Sequence, residues 1–175
     1  MPDLRTLEND SIRAFVQSAA DEGYLSGRVL DWGCGLSPYQ DIVQGVGGSY
    51  EGFDSSEHPG NVGGVTCGID LFWDANAWDA ILCTQVIQYV PLVSDFIGDL
   101  HERLFKGGHL VMTYPTNWPE VEPEDLHRFT KAGMTRLLTE AGFEVVLHEE
   151  RARIAWGRVS MLDEFALGYG VVARA

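Results

Sequence analysis

Basic residues are scarce: 12 Lys and Arg stand against 26 Asp and Glu, for a formal net charge of −14. Such a surface repels a phosphate backbone, so nucleic acid is excluded as an expected partner. Cysteine is scarce as well. Cys34, Cys67 and Cys83 are far apart and form no C-x-x-C, a pattern of reduced, buried thiols rather than a disulfide framework or redox pair. The five histidines show no H-E-x-x-H or other ligand spacing, so neither a structural nor a catalytic metal is expected. Long apolar runs are missing, and residues 1–20 already carry Asp3, Arg5, Glu8 and Asp10. This argues against a leader or a membrane span and for a cytoplasmic protein. Without repeats, low-complexity tracts or linkers, the 175 residues are expected to form one domain, 1–175, with 1–27 as an N-terminal helical extension.

What is present is concentrated between Arg28 and Ser56. Val29 to Gly35 reads V-L-D-W-G-C-G, and Tyr50 to Ser56 reads Y-E-G-F-D-S-S. A β-rich run into Gly33 and Gly35, with the acidic Asp54 about 20 residues later, is the layout of a nucleotide-binding βαβ half. Glycines let the backbone approach a ligand, and a carboxylate ending the second strand accepts both ribose hydroxyls. A dinucleotide site needs G-x-G-x-x-G, but counting from Gly33 reaches Pro38 where the third glycine should stand. NAD is therefore disfavoured. Asp31 would repel a pyrophosphate and attract the cationic end of S-adenosylmethionine.

Val29 to Gly35 resembles the first motif of class I S-adenosylmethionine-dependent methyltransferases, and Phe53-Asp54 resembles their ribose-binding acid. Leu104 to Gly108 (L-F-K-G-G) is similar to the family's L-x-P-G-G turn, and Trp78 to Val90 to its fourth-strand segment. Glu122 to Phe143 looks like a bacterial subgroup of small methyltransferases. The resemblance implies a Rossmann-like α/β three-layer sandwich: a seven-stranded mixed sheet in the order 3-2-1-4-5-7-6, the last strand antiparallel, with helices on both faces.

Hydrophobic periodicity agrees with that alternation. Ile12, Phe15, Val16 and Ala19 form one face of a helix over Ser11 to Ala20, with Asp10 or Ser11 as N-cap. Strands are expected at Arg28–Trp32, Tyr50–Phe53, Val65–Ile69, Asp79–Cys83, His109–Tyr114, Phe143–Leu147 and Gly168–Arg174. Phe96, Ile97, Leu100 and Leu104 make a helical stripe ended by Gly107-Gly108. Thr130 caps a helix carrying Met134, Leu137, Leu138 and Ala141. The pairs Arg151/Arg153 and Arg103/Lys106 read as solvated surface.

By resemblance, Asp31 and the backbone at Gly33 and Gly35 hold the methionine end of the cofactor. Asp54, with Ser55 beside it, holds the ribose. Asp70 takes the adenine amine with Ile69 or Leu71 against the ring, and Cys83 offers its carbonyl to the amino group. Ser37 stands where the family's third glycine is usual. The acceptor side is expected in the loop Tyr114 to Thr130, on the rim where open α/β sheets bind ligands. There Tyr114 and Trp118 line a pocket, His127 or Glu120 serves as general base, and Arg128 pairs with Glu122 or Asp125 to order the loop. The segment Pro115 to Phe129, anchored by Tyr114 and Thr130, is expected to close over the acceptor and to be mobile without it. Gln85 is expected to bond the acceptor or the methionine moiety, while Gln88 and Tyr89 read as a helix surface and a core aromatic. The reaction implied is transfer of a methyl group to a small-molecule acceptor, leaving S-adenosylhomocysteine. The alternative is a catalytically silent nucleoside-binding module.

Overall fold

Strand residues that are apolar on both faces decide the architecture. In the computed structural model, which describes residues 3–54, 77–120, 123, 125–155 and 164–175, successive side chains of each central strand enter different cores. Leu30, Ile81, Cys83, Leu110 and Met112 face one layer, while Val29, Ala80, Leu82 and Val111 face the other. A sheet buried on both sides must be covered twice, and helices do so.

In chain order the elements are α1 (Leu4–Asp21), β1 (Arg28–Trp32), α2 (Gln40–Gly45), β2 (Ser49–Phe53) and β3 (Trp78–Thr84). A 3-10 turn (Ile87–Tyr89), α3 (Val93–Arg103), β4 (Leu104–Pro115), α4 (Lys131–Glu140), β5 (Glu144–Ala155) and β6 (Glu164–Arg174) follow. The sheet order is β2-β1-β3-β4-β6-β5. Neighbours are parallel from β2 to β4, whereas β6 runs antiparallel to both β4 and β5. Helices α3 and α4 cover one face through Ile97, Leu100, Met134 and Leu138. Helices α1 and α2 cover the other through Phe15, Val16, Ile42 and Val43. Each such fully buried side chain contributes about 1.5–3 kcal/mol.

Several expectations need correction. Six strands rather than seven are seen among the described residues, and the sheet order differs by that one edge place. The third expected strand, 65–69, lies outside the described residues. The first helix begins a full two turns before Ser11, because the Asp3 carboxylate caps it by accepting the Thr6 N–H at 2.8 Å. Strand β4 starts at Leu104: Leu104 pairs with Trp78 and His109 with Ala80, so Phe105 to Gly108 bulge out between two ladder contacts. Thr130 does cap α4, accepting the Gly133 N–H at 3.1 Å.

Arg151 and Arg103 are not solvated surface. Arg151 is 3% exposed and pairs with Glu8 of α1 at 2.9 Å. Its Nε donates to Tyr169 O, its Nη1 to Ser11 Oγ, and its Nη2 also to Tyr114 O. Gly168 admits the guanidinium, which a Cβ there would overlap. Arg103 is buried with its guanidinium 5.3 Å from the centre of the Trp32 ring.

Candidate cofactor and acceptor site

The parallel register places Asp31 opposite Gly52 and Trp32 opposite Phe53, so the ends of β1 and β2 share one rim. From there the chain turns sharply. Gly33 and Gly35 take φ of 77° and 51°, and Ser37 takes 56° without being glycine. Positive φ costs a side-chain-bearing residue strain, and at Gly33 a Cβ would also overlap Val86. The turn is held by Phe53 O, which accepts the N–H groups of Gly33 at 2.7 Å and Cys34 at 3.1 Å. Gly35 donates its N–H to Asp54 Oδ2 at 2.6 Å. The two amides expected to face the methionine end are thus engaged within the protein.

Asp31 is completely buried, and one of its oxygens accepts the Tyr50 hydroxyl at 2.6 Å. Its other oxygen, Oδ1, has no hydrogen-bond partner. Burial pushes the Asp31 carboxyl up to about 7, the Tyr50 hydrogen bond opposes this, and the charge of Asp54 adds to it. Burial and the Asp31 charge in turn push the Tyr50 phenol above its usual range. Tyr50 was not singled out in the sequence. Its signal was positional: two residues before Gly52, it lies on the Asp31 side of the sheet.

Cys83 lies fully buried within β3, and burial raises its thiol well above the ordinary value. Both Cys34 and Cys83 are free thiols. Ser55, Asp70 and Leu71, expected at the ribose and adenine, lie outside the described residues.

Beyond β3, Gln85 adopts φ 56° and is fixed by Thr113, whose carbonyl accepts its N–H at 3.0 Å and whose hydroxyl meets its Nε2 at 3.3 Å. The expected surface and core roles of its neighbours are reversed. A 3-10 turn rather than an α-helix follows, so Gln88 points inward at 3% exposure and Tyr89 outward at 40%. The backbone carbonyl of Gln88 accepts the N–H groups of Leu126 at 2.8 Å and His127 at 3.2 Å. The segment after β3 and the loop after β4 are therefore hydrogen-bonded to each other.

The loop is also tied at its ends. Leu167 O accepts the N–H groups of Thr116 and Asn117. Arg128 forms a two-pronged pair with Asp125 and donates to the carbonyls of His127 at 2.9 Å and Trp118 at 3.2 Å. Glu122, the other expected partner of Arg128, lies outside the described residues. Glu120 is exposed, Trp118 is half-buried, and the His127 ring lies 5.6 Å from that of Phe129.

Tyr114, expected to line the acceptor pocket, is fully buried among Phe129, His148 and Tyr169. Its hydroxyl lies 2.7 Å from His148 Nε2, and Thr135 Oγ1 lies 2.9 Å from His148 Nδ1. Burial, aided by Lys131, pulls His148 down to about 4. Among the described residues, no group of three or more His, Cys, Asp or Glu side chains could hold a metal ion, and no helix is long and apolar enough to cross a membrane.

Residues 5–148 match a family model described as a methyltransferase domain. No curated protein matches the chain. Among solved structures, the fold is similar to an S-adenosylmethionine-dependent methyltransferase from Mesorhizobium loti, with TM-score 0.68 and 19% identity over 94% of this chain and 100% of that one. It is also similar to a Burkholderia thailandensis 1,6-didemethyltoxoflavin-N1-methyltransferase holding 1,6-didemethyltoxoflavin and S-adenosylhomocysteine. There the TM-score is 0.72 and the identity 16%, over 94% of this chain and 77% of that one. A Haloferax volcanii complex between the Trm112 methyltransferase activator and a methyltransferase gives TM-score 0.64 at 15% identity, covering 95% and 94%.

Proposed function

The chain belongs to the methyltransferase-domain family of class I, S-adenosylmethionine-dependent enzymes, and on that premise we propose that it methylates a small molecule, at an oxygen of a sugar- or secondary-metabolite-type acceptor, without a metal. The observation that carries the reading is the free Oδ1 of fully buried Asp31, on the same rim as Asp54. A buried acceptor atom without a donor is destabilising, and a cationic amine is the donor that restores both its hydrogen bond and its ionised state.

S-adenosylmethionine brings a methyl group already activated on a sulfonium, so alignment is most of what the protein must supply. Effective molarities from positioning reach about 10⁸ M. In this reading Asp31 binds the methionine amino group together with the Cys83 carbonyl, the tight turn at Gly33 and Gly35 brings the backbone close, and Asp54 and Ser55 take the ribose. Asp70 and Leu71 serve the adenine. Gln85, Trp118 and Arg128 orient the acceptor, and His127 or Glu120 holds the proton that a hydroxyl acceptor gives up. Buried Tyr114 supports that rim from behind. A cytoplasmic setting is supported by the free thiols of Cys34 and Cys83, which a reducing compartment keeps unpaired. The net charge of −14 supports a small-molecule rather than a nucleic-acid acceptor.

The test is to incubate the purified protein with S-adenosylmethionine and an extract of small metabolites and to measure S-adenosylhomocysteine by mass spectrometry. Calorimetry on Asp54→Ala runs alongside. Loss of a charge-assisted hydrogen bond of about 1.5–3 kcal/mol weakens both nucleosides roughly ten- to a hundredfold. Binding without turnover supports the silent module instead. No binding, or no effect of Asp54→Ala, refutes the site.

A further inference from the structure

Two buried polar atoms next to the acceptor loop lack hydrogen-bond partners: Gln88 Oε1 and His127 Nε2. Native proteins keep few such atoms, and each calls for an explanation. The orientation of the Gln88 carboxamide is fixed by its surroundings. Its Nε2 donates to the Gln85 carbonyl at 2.9 Å, and turning the amide over would set oxygen against oxygen. Oε1 is therefore the free end, and it can only accept.

The strain at Gln85 belongs to the same device. Its positive φ, locked by two bonds to Thr113, aims the carbonyl that holds Gln88. Non-glycine residues persist in that conformation where the surroundings force it, most often around binding sites. The other half is the loop. Gln88 receives the His127 N–H on its own backbone oxygen, so the two unpartnered atoms sit on directly bonded segments.

Resting on the acceptor reading above, we propose that Gln88 is a specificity-determining residue of the acceptor site: its Oε1 takes an N–H or O–H of a neutral acceptor, with the His127 imidazole as a second contact. The chemistry selects a neutral group. An anion would meet the lone pairs of Oε1, and a cation would find no counter-charge in a carboxamide. A ligand lacking the donor leaves Oε1 buried and empty, so it is rejected.

The probes are 2-pyridone, a neutral N–H donor, and N-methyl-2-pyridone, which lacks that donor. Each is titrated into protein saturated with S-adenosylhomocysteine and followed by the ring resonances of His127. The parent should bind 2-pyridone about tenfold more tightly, the value of one hydrogen bond. Gln88→Met should bring the two affinities within about twofold while leaving S-adenosylhomocysteine affinity unchanged, a selectivity that a purely structural role would not alter. No binding of 2-pyridone, equal affinities in the parent, or a preference that survives in Gln88→Met overturns the proposal. Equal affinities in the parent overturn it even if the variant fails to fold. Failure to bind S-adenosylhomocysteine instead overturns the preceding reading, so the two failures are distinguishable.

Discussion

Removing the Glu8 carboxylate leaves the Arg151 guanidinium charged, buried and without its counter-ion. Breaking a buried pair in this way costs about 3–5 kcal/mol. Three neutral acceptors remain around Arg151, namely Tyr169 O, Ser11 Oγ and Tyr114 O. They place Glu8→Ala at the lower end, about 3 kcal/mol. For a domain of this size each kcal/mol moves Tm by about 2–4 °C, so the loss is about 6–12 °C. Glu8→Gln keeps an accepting oxygen without the charge and should lose roughly half as much. Replacing both residues by Met removes the stranded charge and refills the volume, so the double variant should be at least about 1.5 kcal/mol more stable than the sum of the single losses. Urea unfolding followed by circular dichroism measures the parent, Glu8→Ala, Glu8→Gln, the two single Met variants and the double variant, with a shared m-value confirming a common denatured state. Glu8→Ala within about 0.5 kcal/mol of the parent, or losses that simply add, would refute a buried, coupled pair.

Four further outcomes are expected. Asp31, raised from 3.8 to about 7, contributes stability that is fully present below about 3.8 and lost as pH rises through about 7. Binding a cation favours its ionised form, so S-adenosylmethionine affinity should fall as pH drops below about 7, and a calorimetric pH series should be flat for Asp31→Asn. His148 runs the opposite way, its stabilisation present above 6.5 and lost as pH falls through about 4, which His148→Phe should abolish in acid-unfolding curves. Trp118→Ala and His127→Ala should lower turnover while leaving S-adenosylmethionine affinity nearly unchanged, and variants that transfer methyl groups at the parent rate would remove the loop from the acceptor site. Methyl transfer should survive EDTA; activity abolished by the chelator and restored by magnesium would reveal a bound metal.

The parts legible in the sequence were those whose cause is local. A glycine turn after an apolar run, a threonine cap at Thr130 and the continuous apolar run Ala80 to Cys83 in β3 each report their own conformation. Contacts across the chain were not legible. Arg151 reads as surface because its partner lies 143 residues away, and no local pattern announces Glu8. Gln88 and Tyr89 were misplaced because a 3-10 turn rotates side chains by three per turn rather than 3.6, exchanging inside for outside. Tyr114 is aromatic, polar and at a strand end, which suits a pocket equally well. Contacts from distant elements, His148 of β5 and Tyr169 of β6 among them, make it core. Tyr50 went unnoticed because its importance comes from the register of β1 against β2.

The clasp between α1 and β5 bears on biosynthesis. Ile12, Phe15, Val16 and Ala19 leave the ribosome early, and Val29 and Val43 soon offer them partial cover. Glu8 and Ser11, however, have to wait for Arg151. Contacts of such sequence separation form late, because loop-closure entropy must be overcome first. Until β5 and β6 have paired, the helix carries an apolar stripe beside an unneutralised carboxylate. Docking of the helix onto the sheet is therefore completed only with the closing of the last hairpin.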